Sequence, residues 1–173
     1  MSLARTQDMN RNSGFTLIEL MVVLAVAAIL ATTAAPAFWN MIQNSRTTTQ
    51  ANELVTAINL ARSEAIKRGE RVEICASANP ASGECGGVGD WSDGWLVRLE
   101  DDSSGIIRVW EAPAGLNLSV NGGGGSMVFR SLGERVEDGT FTMTLRFDGC
   151  TGDQQRRIRV NAAGRTSVFR EAC

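Results

Sequence analysis

Histidine and tyrosine are both absent from this chain of 173 residues. Histidine is the commonest general base and the commonest protein ligand of transition metals, so its absence argues against an enzyme and against a transition-metal site. An excess of one charge is also lacking, because 17 basic residues stand against 19 acidic ones. We therefore expect no catalytic residues, no metal, no cofactor and no small-molecule substrate, and any electrostatic role must come from a local patch.

Motifs that bind nucleotides or calcium are missing as well. The glycine-rich segment 121–125 lacks the Lys-Ser/Thr pair of a phosphate-binding loop, so we interpret it as a turn. Four aspartates could offer oxygen atoms to calcium, but none stands in the EF-hand loop pattern, and we expect solvated turn carboxylates instead. These residues are Asp90, Asp93, Asp101 and Asp102.

One long apolar run is present at residues 15–35, directly after a polar leader of 14 residues. As a helix its 21 residues would span roughly 31 Å, enough to cross a hydrocarbon core of about 30 Å. Glu19 is its only charge, and a carboxylate in lipid is costly, so we expect Glu19 to have a partner. A secretory signal peptide, cleaved near residues 35–37, and an ordinary single-span anchor are the alternatives. Signal cores are shorter, about 7 to 15 residues, and do not hold a glutamate.

The junction Gly-Phe-Thr-Leu-Ile-Glu at residues 14–19 resembles the type IV prepilin signature. In that family a dedicated peptidase cuts after the glycine, the new terminal phenylalanine is N-methylated, and the acid neutralises a subunit's terminal amine during filament assembly. The resemblance implies cleavage between Gly14 and Phe15, methylation of Phe15 and an assembly role for Glu19. Pro36 lies where pilin helices commonly carry a kinking proline.

The positive charges of the leader predict the orientation of the chain. Arg5 and Arg11 place the amino terminus in the cytoplasm, so the bulk of the chain would lie outside the inner membrane as a single-pass protein with a periplasmic head. We expect four segments: a prepilin leader at 1–14, a transmembrane helix at 15–36, an amphipathic continuation of the helix at 37–69, and a β-rich head at 70–173.

The amphipathic part of the helix is predicted from a stripe of apolar residues. They recur at helical spacing, and Gly69 is a natural stop after them. The polar, threonine-rich stretch 44–50 predicts a weak point or a bend. The stripe comprises Ala51, Leu54, Val55, Ile58, Ala61 and Ala65.

After Gly69 the pattern changes to short alternating segments separated by turn residues, which predicts strands. The fold class expected is α+β: a long N-terminal helix, transmembrane in its first half, packed on an antiparallel β-sheet head. The head would contain two small sheets or one curved sheet. The predicted strands are 71–76, 94–100, 106–112, 116–120, 127–130, 140–147, 157–161 and 166–170.

All four cysteines lie in the exported part of the chain, which predicts two disulfides, although four cysteines allow three pairings. We favour Cys75–Cys85 and Cys150–Cys173, because each closes a short local loop. The chain-entropy argument assigns each bond roughly 3 kcal/mol. A cysteine metal site is disfavoured, because close Cys-x-x-Cys pairs are missing.

Two further segments resemble the GspH/FimT minor pilins and pseudopilins, namely residues 60–69 and the tryptophan-containing segment 90–97. The resemblance implies a FimT/FimU-type minor pilin or a type II secretion minor pseudopilin that assembles into, and primes or caps, a filament. Its partners would be other minor and major pilins or pseudopilins, the prepilin peptidase and the inner membrane. Alternation around Gly94 predicts that one of Trp91 and Trp95 lies in the core.

The carboxy-terminal hairpin is rich in arginine and suggests an alternative function, DNA binding for DNA uptake. Arg157, Arg159 and Arg165 are the candidate contacts to the phosphate backbone, and Arg156 belongs to the same run. DNA-uptake members of the family carry Gly-Arg-x-Arg in this hairpin, whereas residues 164–167 here read Gly-Arg-Thr-Ser. Because the second arginine is missing, we do not expect DNA binding, and a solvated sheet face is the simpler interpretation.

Overall fold

The computed structural model describes residues 15–79, 83–86, 90–102, 104–121 and 125–173. The leader, including Gly14, and the centre of the glycine-rich turn lie outside the described residues. The chain divides into two compact units at residues 39 and 40. One helix, α1 (Leu17–Arg68), supplies residues to both units, and Pro36 lies inside it.

In the second unit α1 buries the predicted apolar stripe except Val55, which is half-buried, and it also buries Ala57. Gly69 follows the last helical residue with a φ of 71°, a conformation that glycine adopts without strain, and its N–H donates to the Ala65 carbonyl over 3.0 Å. Residues of α1 that lose almost all contact with solvent are Ala51, Leu54, Ala57, Ile58, Ala61 and Ala65.

The stretch 44–50, predicted as a weak point or a bend, does not interrupt α1, which is helical throughout it. Thr47 donates to the Gln43 carbonyl over 2.9 Å and Thr48 to the Asn44 carbonyl over 2.8 Å, both one turn earlier in the helix. Asn44 and Thr48 also accept hydrogen bonds from Arg156 of the head.

Nine strands follow α1 in the described part of the chain. They are β1 (Val72–Asn79), β2 (Glu84–Cys85), β3 (Gly94–Leu99), β4 (Ile106–Glu111), β5 (Leu116–Asn121), β6 (Ser126–Phe129), β7 (Phe141–Phe147), β8 (Gln155–Val160) and β9 (Thr166–Glu171). A short 3-10 helix (Asp90–Ser92) precedes β3. The two-residue strand β2 and the 3-10 helix were not predicted, because neither is long enough to show a periodic pattern.

The strands form two antiparallel sheets. In the first, β1 pairs with β3, which pairs with β4, while β2 and β6 pair with β1. The second has the order β5-β7-β8-β9, so that β9 is an edge strand. A long amino-terminal helix packed on antiparallel sheets confirms the predicted fold class.

The hydrophobic core joins the buried face of α1 to both sheets. Trp91 and Trp95 are both fully buried in this core, whereas the sequence predicts that only one of them is buried. The reason is that Trp91 lies in the 3-10 helix, where strand alternation does not apply. Each large apolar side chain buried in this way contributes about 1.5–3 kcal/mol to folding.

Both predicted disulfides are confirmed. Cys75 in β1 is joined to Cys85 in β2, with their Cα atoms 5.6 Å apart, and Cys150 to Cys173, 5.9 Å apart. The first bond fastens the short strand β2 to the sheet. The second joins the loop after β7 to the segment after β9, where the Cys173 N–H also donates to the Gly152 carbonyl over 2.9 Å.

Candidate functional site

The amino-terminal half of α1 exposes an apolar surface on all sides. Every large apolar side chain from Phe15 to Trp39 has at least half of its area exposed, from 84% for Phe15 down to 50% for Val26. The most apolar window of this helix has a mean hydropathy of 2.4 and none of it is buried, so its length and composition suit a membrane span. Such a surface is stable only when lipid or other apolar helices cover it.

Glu19 lies in the first turn of α1, three residues after Thr16. The Glu19 N–H donates to the Thr16 hydroxyl over 3.3 Å, which makes Thr16 the N-cap of the helix. A carboxylate in this turn also interacts favourably with the positive end of the helix dipole. Glu19 therefore has a local role in starting the helix, besides any role in assembly, and the Thr-x-x-Glu spacing was the signal for it.

The candidate DNA-contact residues of the β8–β9 hairpin are partly occupied by contacts within the head. Arg157 forms an ion pair with Glu171, with Nη2 and Oε2 2.6 Å apart. The Arg159 guanidinium lies 5.5 Å from the centre of the Phe169 ring. Arg157 and Arg159 share the outer face of the sheet, as predicted, but one is neutralised and the other is stacked.

Arg165 follows the hairpin turn and is exposed. Its N–H donates to Asn161 Oδ1 over 2.9 Å, and no ion pair of its side chain occurs within the described residues. The preceding residue, Gly164, has a φ of 74°, and a Cβ atom there would collide with the Gly133 carbonyl oxygen. The glycine that matches the family motif is therefore required by packing, independently of any DNA contact.

Arg156 does not belong to the solvated face. It is buried, and its Nη2 donates to Asn44 Oδ1 over 2.6 Å and to Thr48 Oγ1 over 3.0 Å, both on α1. Its Nη1 donates to the carbonyls of Asp153 and Gln155. Burial lowers the pKa of the Arg156 guanidinium, and the nearby charge of Arg170 acts in the same direction.

Two more contacts extend this arrangement along the helix. Thr151 Oγ1 lies 3.2 Å and Gln154 Nε2 lies 3.3 Å from Asn40 Oδ1. The three acceptor residues of α1 are spaced by four and therefore share one helical face. We call the group the polar clamp; its members are Asn40, Asn44 and Thr48 on α1, and Thr151, Gln154 and Arg156 on the head.

Two groups of side chains in the described residues could suggest a metal site or a reactive carboxylate, but each has a simpler role. Glu73, Cys75 and Cys85 lie within 4.8 Å of one another, but the two sulfur atoms are joined in a disulfide and offer no thiolate. Asp102 accepts hydrogen bonds from the Ser104 hydroxyl and N–H, at 2.6 and 2.9 Å, and these bonds lower the pKa of its carboxyl group. This is the arrangement of a capped turn.

The largest of the described cavities, about 590 Å³, lies beside the polar clamp. It is open to solvent, and the only ionisable side chains in its lining are those of Asp153 and Arg170. An aspartate and an arginine without a neighbouring nucleophile do not form a catalytic group.

Comparison with known proteins places these features in a family. The family described as Type II transport protein GspH matches residues 50–164, and the prokaryotic N-terminal methylation motif matches residues 9–35. Fimbrial protein Q of Moraxella bovis is 38% identical over 78 residues, which are 45% of this chain and 49% of that protein. The chain thus spans about half the length of this relative.

Two solved structures share the fold. The type IV minor pilin FimU of Pseudomonas aeruginosa superposes with a TM-score of 0.59 at 18% identity, over 75% of this chain and 92% of FimU. The minor pseudopilin EpsH from the type 2 secretion system of Vibrio cholerae superposes with a TM-score of 0.52 at 16% identity, over 72% of this chain and 97% of EpsH.

Proposed function

This chain belongs to the GspH family of type IV minor pilins and pseudopilins, and from that premise we propose that it is a filament subunit that primes or caps a type IV pilus or a type II secretion pseudopilus. Its work would be assembly rather than catalysis. The likeness in fold to FimU, a minor pilin, and to EpsH, a minor pseudopilin, supports both kinds of filament equally.

The observation that carries this proposal is the exposed apolar helix. Residues 17–39 present apolar side chains in every direction, a surface that first lipid and then the helices of neighbouring subunits would cover. Glu19 is the one acid in that surface, and a carboxylate in an apolar environment is stabilised by an opposite charge. The methylated amine of Phe15 in a neighbouring subunit would supply that charge.

The same proposal includes the location of the chain. The leader would stay in the cytoplasm until the prepilin peptidase removes it, and the head would lie in the periplasm. The two disulfides support this orientation, because such bonds persist in an oxidising compartment.

Intact-mass measurement of the protein extracted from membranes tests the processing step. We expect loss of residues 1–14 and the addition of one methyl group at Phe15. A mature terminus at Ala37 or beyond would instead identify a secretory signal peptide and contradict the proposal.

Replacing Glu19 tests the assembly step. Glu19→Ala should leave membrane insertion intact, because removing a charge makes insertion easier, while the variant is lost from filaments. Glu70→Ala, which removes an exposed carboxylate of the head, is the matched control and should assemble normally. Normal incorporation of the Glu19→Ala variant would remove the pairing role.

DNA binding is not favoured by the hairpin. Only Arg165 of the three candidate contacts is free of a partner within the described residues, and a protein that grips duplex DNA usually neutralises several phosphates. Binding of duplex DNA by the head at physiological salt would restore the alternative.

A further inference from the structure

A turn of the head exposes apolar side chains that the fold does not use. Leu132, in the turn formed by residues 130–134, has 78% of its surface exposed, the largest value for a large apolar side chain of the described head. Ile66 of α1, 52% exposed, lies beside Gly133 of the same turn, since a Cβ atom on Gly133 would come within 2.7 Å of the Ile66 Cδ1 atom. We call residues 130–134 the Leu132 turn.

The Leu132 turn is held in place by hydrogen bonds within it and by bonds that link it to two other segments. Within it, the Gly133 N–H donates to the Arg130 carbonyl and the Arg130 N–H to the Glu134 carbonyl, both over 2.8 Å. Arg62 of α1 donates from Nε to the Gly133 carbonyl over 2.9 Å. The next residue, Arg135, donates from its N–H to the Ala162 carbonyl in the β8–β9 turn over 2.8 Å. Leu132 is thus presented on a fixed backbone, which lowers the entropy lost on binding.

The charges around this turn are predominantly positive. Arg130 belongs to the turn, Arg62 donates a hydrogen bond to it, and Arg165 follows Gly164, which packs on Gly133. Glu134 is the acid within the turn, and its distance of 3.5 Å from Arg130 makes a long, exposed ion pair. Within the described residues, neither Arg62 nor Arg165 forms an ion pair.

We infer that the Leu132 turn is a docking site for another protein of the filament, whose matching surface is an apolar pocket rimmed with carboxylates. The inference rests on the proposed assembly function, for which it names a contact surface of the head. An exposed leucine on a fixed backbone, with unpaired arginines on the two segments that contact the turn, offers an apolar anchor and a positive charge that complements carboxylates. Duplex DNA fits less well, because its backbone offers no pocket for Leu132 and two unpaired arginines supply few phosphate contacts.

Site-specific photocrosslinking of the complete chain in the cells that make it tests this inference. The photoreactive residue p-benzoylphenylalanine replaces Leu132 in one variant and Val168, an exposed apolar residue of the edge strand β9, in the control. Mass spectrometry of the adducts identifies the partner, and nuclease treatment reveals any adduct with nucleic acid. We expect a protein adduct with another pilin or pseudopilin subunit from the Leu132 position, at least about tenfold above the Val168 position.

A charge reversal examines the rim. Arg165→Glu, combined with the photoreactive residue at Leu132, should lower the yield of the adduct by roughly threefold or more, because the rim would then repel carboxylates. Both substituted side chains are exposed, so the fold should be retained, and mapping of the two disulfides checks it.

Each other outcome overturns the inference. A nuclease-sensitive adduct would assign the surface to nucleic acid, and no adduct, or an equal one from Val168, would mean that the surface binds nothing specific. Cofractionation of the unsubstituted chain with filaments separates the two proposals. If the chain cofractionates and Leu132 forms no adduct, only this inference fails; if the chain does not cofractionate with any pilin, the proposed function fails.

Discussion

Replacing Arg156 by methionine tests whether the polar clamp stabilises the head. Methionine retains much of the buried aliphatic volume but donates no hydrogen bond. Asn44 Oδ1 and Thr48 Oγ1 would lose donors that now lie 2.6 and 3.0 Å away. The carbonyls of Asp153 and Gln155 would lose theirs at the same time.

The magnitude follows from the number of bonds and the cost of burying their donor. A hydrogen bond to a charged group contributes about 1.5–3 kcal/mol, but burial of the guanidinium, which lowers the Arg156 pKa, offsets part of that gain. We expect a net loss of about 2–3 kcal/mol in the free energy of unfolding. At roughly 3–5 °C per kcal/mol for a domain of this size, Tm should fall by about 10 °C.

Thermal unfolding of the full chain in detergent, followed by near-ultraviolet circular dichroism of the buried tryptophans, measures the change. The matched control is Arg157→Met at the neighbouring position, which removes a partly exposed ion pair with Glu171 and should cost less than about 1 kcal/mol. Equal shifts from the two variants, or no shift from Arg156→Met, would refute the reasoning. A double-mutant cycle with Asn44→Ala should give a coupling of about 1 kcal/mol or more.

Two further predictions concern the β8–β9 turn. Gly164→Ala should lower the free energy of unfolding in urea by about 2–4 kcal/mol, because φ is 74° and the added methyl group meets the Gly133 carbonyl. The control Gly139→Ala, with a φ of 90° but open space around it, should lower it by only about 1–2 kcal/mol. A smaller loss at Gly164 than at Gly139 would contradict the packing argument. The second prediction is that fluorescence anisotropy with duplex DNA at physiological salt will show negligible binding, and that the Arg165→Gln variant will bind DNA no differently. Micromolar, salt-sensitive binding would restore the DNA-uptake alternative.

The sequence was most informative where a pattern repeats. Alternation located the longer strands to within a few residues, and it correctly assigned Arg157 and Arg159 to one face of β8. The same alternation assigns Arg156 to the opposite face, but nothing in the sequence indicates that α1 would supply acceptors there. The donor and acceptors are more than 100 residues apart, at separations of 112 for Asn44 and 108 for Thr48.

That missing partner also explains why the polar stretch 44–50 predicts a weak point or a bend. Polar residues in a surface helix usually contact solvent or weaken the helix. The sequence does not distinguish these cases from polar residues that form hydrogen bonds with a distant part of the chain. Strand β2 is not evident in the sequence either, because its two residues are too few to show an alternating pattern. It pairs with β1 next to the bond between Cys75 and Cys85.

The polar clamp also has a geometric consequence for α1. Its three helix positions, Asn40, Asn44 and Thr48, span about two turns, and turning the helix by one residue, about 100°, would carry all three away from their donors. The head therefore fixes the rotation of this part of the helix about its own axis. The side left facing outward carries Ser45, Thr49, Asn52 and Thr56, all exposed. Through the clamp, the head selects which side of α1 other molecules can reach.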